Sequence, residues 1–166
     1  MKKLFFVAAA FVAGFAASAQ QKVDDVIKIN IEKYDFGKIK QNNPVTTYFT
    51  IKNISDKPIS IENAMAGCGC TTPEVSKAPI APGATTQLKV GYNAANPAPF
   101  TKDVSIKVAG IQDMKVVKIT GEVLDATAYD AYVKSDEYKK AEQAKAAADK
   151  TQATDAKKNK KVKATK

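Results

Sequence analysis

The segment Lys102–Val123, "KDVSIKVAGIQDMKVVKITGEV", decides the fold class. Val104, Ile106 and Val108 alternate with Ser105 and Lys107, the two-residue period of a strand with one buried face. Gly110 to Asp113 carries turn chemistry, and beyond it Val117, Ile119 and Val123 again share a face.

The same alternation recurs upstream. Leu88, Val90 and Tyr92 line one side of "TTQLKVGYN", which follows the Pro-Gly turn of "APIAPG" (Ala78–Gly83) and precedes the Pro-rich loop Ala94–Phe100. Thr47, Phe49 and Ile51 point one way, and Tyr48, Thr50 and Lys52 the other. Gln41–Pro44 and Asn53–Pro58 read as turns, and Ile59 and Ile61 lead a strand that runs towards Met65. Ile27, Ile29 and Ile31 alternate as well, and Tyr34–Ile39 forms a short extended piece with Phe36 in the core and a bend at Gly37. Turn signals at this spacing predict an all-β, antiparallel sandwich of about seven strands and about 100 residues. No helix-period segment interrupts Val26–Val123, so no βαβ unit and no dinucleotide site is expected.

The flanks differ from this centre. Residues 1–19 read as a signal peptide: Lys2 and Lys3, an apolar run from Leu4 to Ala17, then Ala17-Ser18-Ala19 before Gln20. The run is short for a membrane span and no cysteine follows it, so the expectation is cleavage near Ala19 and a periplasmic or secreted protein. No transmembrane segment is expected in the mature chain. The sandwich is placed at residues 20–124, a helical extension at 125–150 from about Ala128, and a disordered Lys-rich tail at 151–166. Thr127 and Asp130 resemble a capping box, and Tyr129, Tyr132 and Val133 make a thin apolar stripe.

Charge follows the same division. Between Gln21 and Tyr138 the 14 lysines balance 14 acidic residues, whereas Lys139–Lys166 holds 10 lysines against Glu142, Asp149 and Asp155. The polyanion-contact candidates are therefore Lys157, Lys158, Lys160, Lys161, Lys163 and Lys166, with anionic envelope polymers as the matching partners and a solubilising extension as the rival reading. The chain has no histidine, tryptophan or arginine. This removes His-based nucleophile pairs, ordinary zinc ligand sets and bidentate phosphate recognition, and disfavours specific nucleic-acid binding. No catalytic residue and no cofactor is expected. The acid pairs Asp24-Asp25 and Asp136-Glu137 lie outside the expected core and read as solvated faces, and Tyr48 as an exposed strand residue.

Both cysteines fall in "GCGCTTPE" (Gly67–Glu74). On a regular strand Cys68 and Cys70 would sit about 6.6 Å apart on one face, with their Cβ atoms farther apart than the roughly 3.5–4.5 Å a disulfide needs. Gly67 and Gly69 permit a tighter local path. Four readings of Cys68-Gly69-Cys70 stand open: compact packing residues, a strained and easily reduced disulfide, a two-thiolate metal site for a soft ion such as Cu(I), and intermolecular disulfides.

Phe36-Gly37, the "FTIKN" strand, "GCGCTTPE", Ile80-Ala81-Pro82-Gly83 leading into "LKVGYN", and the closing "KITGEV" together resemble the bacterial family catalogued as domain of unknown function 1573, over Tyr34–Val123. The resemblance implies an immunoglobulin-like sandwich, akin to major-sperm-protein and cilium-associated domains, whose members mostly bind other proteins. It implies no established activity. An antibody-type domain is excluded, because cysteines this close cannot pin two sheets and the core tryptophan is missing. The expected function is an exported, non-enzymatic protein-binding or structural module of the bacterial envelope, meeting envelope proteins by strand addition. The alternative is a periplasmic thiol-redox or Cu(I)-binding protein using Cys68 and Cys70.

Overall fold

The alternating segments pair into two stacked four-stranded sheets in a computed structural model that describes residues 21–143. In chain order the strands are β1 (Ile27–Ile29), β2 (Lys33–Lys40), β3 (Val45–Asn53), β4 (Ile61–Ala66), β5 (Thr71–Val75), β6 (Thr85–Tyr92), β7 (Pro99–Val108) and β8 (Met114–Leu124), followed by helix α1 (Ala126–Val133). One sheet has the order β1-β3-β6-β5 and the other β2-β8-β7-β4. The alternation names the interior correctly: Phe49, Ile51, Leu88, Val90, Val104, Ile106, Val108, Val117 and Ile119 are wholly buried in one cluster. Each such side chain contributes about 1.5–3 kcal/mol of transfer free energy.

The all-β sandwich is as expected, with three differences in detail. Among the described residues there are eight strands rather than about seven, because Thr71–Val75 pairs with β6 despite Pro73. Proline is tolerated there since β5 is an edge strand, where a missing ladder donor costs least. One pair is not antiparallel: β2 runs parallel to β8, with Lys33 opposite Lys118 and Lys40 opposite Leu124. Ile59 precedes β4 and instead forms an isolated bridge with Ile80.

Every sheet edge carries a feature that opposes pairing with another chain. β1 is three residues long. β2 is bulged between Asp35 and Lys38, where Gly37 takes φ +67° and donates its N–H to Asp35 Oδ1. β4 is irregular between Ile61 and Asn63, and the Ala64 N–H is satisfied by Asn63 Oδ1. β5 has Pro73.

Helix α1 starts earlier than the capping-box reading places it. Asp125, not Thr127, is the N-cap, its carboxylate accepting from the Ala128 N–H at 2.9 Å. The helix stops at Val133, and a second helical stretch begins at residue 136 after a bend at Lys134–Ser135. No α1 residue is buried. Polar contacts hold α1 and the stretch after it to β2: Lys38 reaches Glu137 of that stretch at 2.8 Å and lies over the Tyr132 ring of α1, and Lys40 lies near Asp130 and the Tyr129 ring. The carboxylate of Glu137 raises the Lys38 pKa.

Lys115 on β8 gathers the N-terminal segment, donating to Asp24 at 2.6 Å and Glu32 at 2.5 Å with a largely buried side chain. Asp24 first and Glu32 second raise its pKa above the usual lysine value, against an opposing effect of burial. A raised folded-state pKa contributes stability that is complete below the unfolded value of about 10.4 and is lost as pH rises through the folded value. Lys115→Met is therefore expected to flatten the alkaline fall in stability above about pH 10.4, read from denaturant midpoints across that range. An unchanged alkaline slope would show that the cluster does not act on stability.

Candidate functional site

Gly67–Cys70 is the corner at which the chain leaves one sheet for the other, since β4 and β5 belong to different sheets. Making that corner requires the backbone to abandon the extended state, and this answers the spacing problem. The Cα atoms of Cys68 and Cys70 stand 5.3 Å apart, within the range a disulfide needs, and the two are bonded. The corner is pinned on both sides: the Thr71 N–H donates to the Cys68 carbonyl at 3.3 Å, and the Asn93 N–H to the Cys70 carbonyl at 3.0 Å. Thr71 is buried, and its hydroxyl lies 3.8 Å from Cys68 Sγ and 3.9 Å from Cys70 Sγ. Gly67 and Gly69 have open space where a Cβ would stand and neither takes a positive φ, so neither a close contact nor the backbone of the corner requires glycine there.

The two sulfurs have different surroundings. Cys70 packs against the hydrophobic core, whereas Cys68 lines a surface groove of about 460 Å³. Strand register explains the groove. Met65, Ser105 and Val116 form one row across β4, β7 and β8 on the outer face, and Lys107 and Met114 stand opposite each other in the next row. The small Ser105 leaves a trough between larger neighbours. Met65, Met114 and Val116 are each more than 40% exposed, an apolar cluster on a face where charged residues would cost nothing. Lys102 lines the groove with Asp103, and Asp103 is paired with Lys118.

This bonding bears on the four readings of the motif. The thiols are joined within the chain, so in this state neither is a free packing thiol, an intermolecular link or a thiolate ligand. Holding Cu(I) would first require reduction, and among the described residues no group of three or more His, Cys, Asp or Glu side chains could hold a metal. A loop this short removes little denatured-state entropy, roughly 1.5 kcal/mol, so the bond is a small part of what holds the sandwich together. The sequence marked Cys68, Gly69 and Cys70 but not Thr71, Met65 or Met114. Thr71 and Met65 are near the cysteines in sequence, and strand register brings Met114 to the same corner.

Other sequence candidates lie elsewhere. Asp24 is tied to Lys115, Asp136 to Lys139 and Glu137 to Lys38, so neither acid pair forms an acid–base site. Tyr48 is half exposed on β3 of the opposite sheet. Lys157, Lys158, Lys160, Lys161, Lys163 and Lys166 lie outside the described residues, as does the signal-peptide segment. No helix among the described residues is long and apolar enough to cross a membrane.

No curated protein matches the chain. Among solved structures it is similar to a protein of unknown function from Porphyromonas gingivalis W83, at 18% identity and a TM-score of 0.50, covering 64% of this chain and 50% of that one. It also resembles the ASH / PapD-like domain 7 of human CEP192, at 6% identity and a TM-score of 0.52, covering 61% and 87%. The VesB protease of Vibrio cholerae matches at 14% identity and a TM-score of 0.51, covering 61% and 33%. The chain thus spans half or less of the first two bacterial proteins it matches, and likenesses this distant establish an immunoglobulin-like, PapD-like sandwich and nothing about chemistry. The disulfide-bonded corner, the eight described strands and a family match over residues 27–123 lead to one assignment: the chain belongs to the family described as Protein of unknown function (DUF1573).

Proposed function

We propose that this protein is an exported, non-enzymatic protein-binding module of the bacterial envelope, and that it binds through the outer face of β4, β7 and β8. The observation that carries this reading is the pair of exposed methionines, Met65 and Met114, lining one groove with Ser105, with exposed Val116 opposite Ser105 on β8. Strand addition is the weaker route, because each edge is short, bulged, capped or interrupted by proline. Lys102 and Asp103 line the groove, and because Asp103 is paired with Lys118, Lys102 is left as the groove's unpaired charge among the described residues. Its matching occupant is an extended segment of a partner protein with apolar side chains flanked by a carboxylate. The envelope location rests on the N-terminal leader pattern of residues 1–19, and the lysine tail adds attraction to anionic envelope polymers.

A photo-crosslinking side chain placed at Met114 in the full-length protein, with Tyr48 on the opposite sheet as control, tests the surface. The expected result is a defined adduct from Met114 alone. The identified partner, once purified, should bind Met65→Asp at least about tenfold more weakly than wild type, the loss of one desolvated apolar anchor. Equal binding by the variant, or equal crosslinking from Tyr48, would overturn the proposal.

A further inference from the structure

The arrangement of the two sulfurs points to more than a clasp. Cys68 lines the groove and Cys70 lies on the core side of the bond. Exchange at a disulfide proceeds by attack of a thiolate on one sulfur with departure of the other. A thiolate arriving through the groove reaches Cys68, and the departing sulfur is then Cys70, on the inner side. The buried Thr71 hydroxyl stands near both sulfurs and can turn its proton towards whichever becomes the thiolate. The backbone on either side of the bond is held by the Thr71 and Asn93 hydrogen bonds, so the corner keeps its path when the sulfurs part. β5 itself remains paired to β6 over its whole length.

We propose that Cys68–Cys70 is an exchangeable disulfide and that its substrate is a protein dithiol presented in the Met65–Met114 groove. The choice of a protein substrate rests on the groove reading above, while the exchange itself does not. In the first step a partner thiolate forms a bond to Cys68 Sγ. The Cys68–Cys70 bond breaks, and its electron pair leaves on Cys70 Sγ. In the second step the partner's other thiolate attacks the partner sulfur of the mixed disulfide and Cys68 departs as thiolate. The partner dithiol is oxidised by two electrons to a disulfide, and Cys68 and Cys70 are reduced and take up two protons from water. One molecule of this protein oxidises one partner dithiol.

The experiment uses full-length Cys70→Ser and Cys68→Ser proteins and oxidised glutathione, followed by intact mass. Cys70→Ser leaves the groove-facing thiol and is expected to form the glutathione mixed disulfide at least about tenfold faster than Cys68→Ser, whose thiol lies against the core. The wild-type disulfide should also be reduced by dithiothreitol with an unchanged far-UV circular dichroism spectrum. Equal rates for the two variants, faster reaction of Cys70, or a bond that opens only once the protein unfolds would each overturn the exchange. If exchange follows the expected order but Met65→Asp leaves partner binding unaltered, the exchange stands and the groove as substrate seat falls.

Discussion

Gly121→Ala is expected to cost the sandwich about 3 kcal/mol, the upper range for forcing an extra methyl into a filled interior. Gly121 lies in β8 between β7 and β2, the strands on either side of it in the sheet. An added Cβ would stand 2.8 Å from two ring carbons of Phe100 and 2.9 Å from the Gly37 carbonyl oxygen. The ring cannot swing aside freely, because Phe100 is buried and stacked on Tyr92 at 4.0 Å between centroids. The carbonyl is backbone at the β2 bulge, so moving it disturbs the pairing around Asp35–Lys38. Gly91→Ala is the control: its nearest neighbours would be 3.7 Å and 3.9 Å away, ordinary contact distances. Urea unfolding of the two variants measures both, and a Gly121→Ala midpoint equal to that of wild type would show that β2 and β7 yield without cost.

Asn53→Ala carries the second large effect, about 3 kcal/mol, because a wholly buried amide that makes four hydrogen bonds, one of them to the buried Ile80 carbonyl, is removed. Asn53 Nδ2 donates to the carbonyls of Lys57 and Ile80, both at 2.8 Å. Its Oδ1 accepts from the Ser55 N–H at 2.9 Å and the Ser55 hydroxyl at 2.7 Å. One side chain thus closes the turn after β3 and ties it to the loop that holds Ile80. The backbone does the same, with Gly83 donating to the Asn53 carbonyl and Asn53 to that of Ala84. Ser55→Ala, which keeps the amide and its backbone partners, is expected to lose only about 1 kcal/mol. Comparable midpoints for the two variants in chemical denaturation would show that the loop is held by its backbone alone.

These two residues also show where reading the sequence stops. Phe49, Ile51, Val104 and Ile119 were legible as core because burial on one face of a strand leaves a period of two in the chain itself. Asn53 reads as a turn residue, and nothing local says that its amide is buried beneath a loop 27 residues away. Alternation also carries no record of strand direction, so the parallel course of β2 beside β8 was invisible. At the candidate site, Cys68 and Cys70 stand out by type, but their bond depends on a corner that follows from β4 and β5 lying in different sheets. Met65 and Val116 fall in one row across the sheet only through the register of Ser105 with both.

The parallel union of β2 and β8 has a consequence for how the molecule comes into being. Lys33 waits for Lys118, and Lys40 for Leu124, so the second strand to be synthesised finds its neighbour only when the last has appeared. A hairpin cannot nucleate such a pair, and closing so long a loop costs chain entropy before any contact repays it. A nascent chain that stops short of Met114 holds β2 with no ladder and β7 with one flank open. Assembly is therefore gated by the arrival of the final strand, with β2 left without its ladder until then.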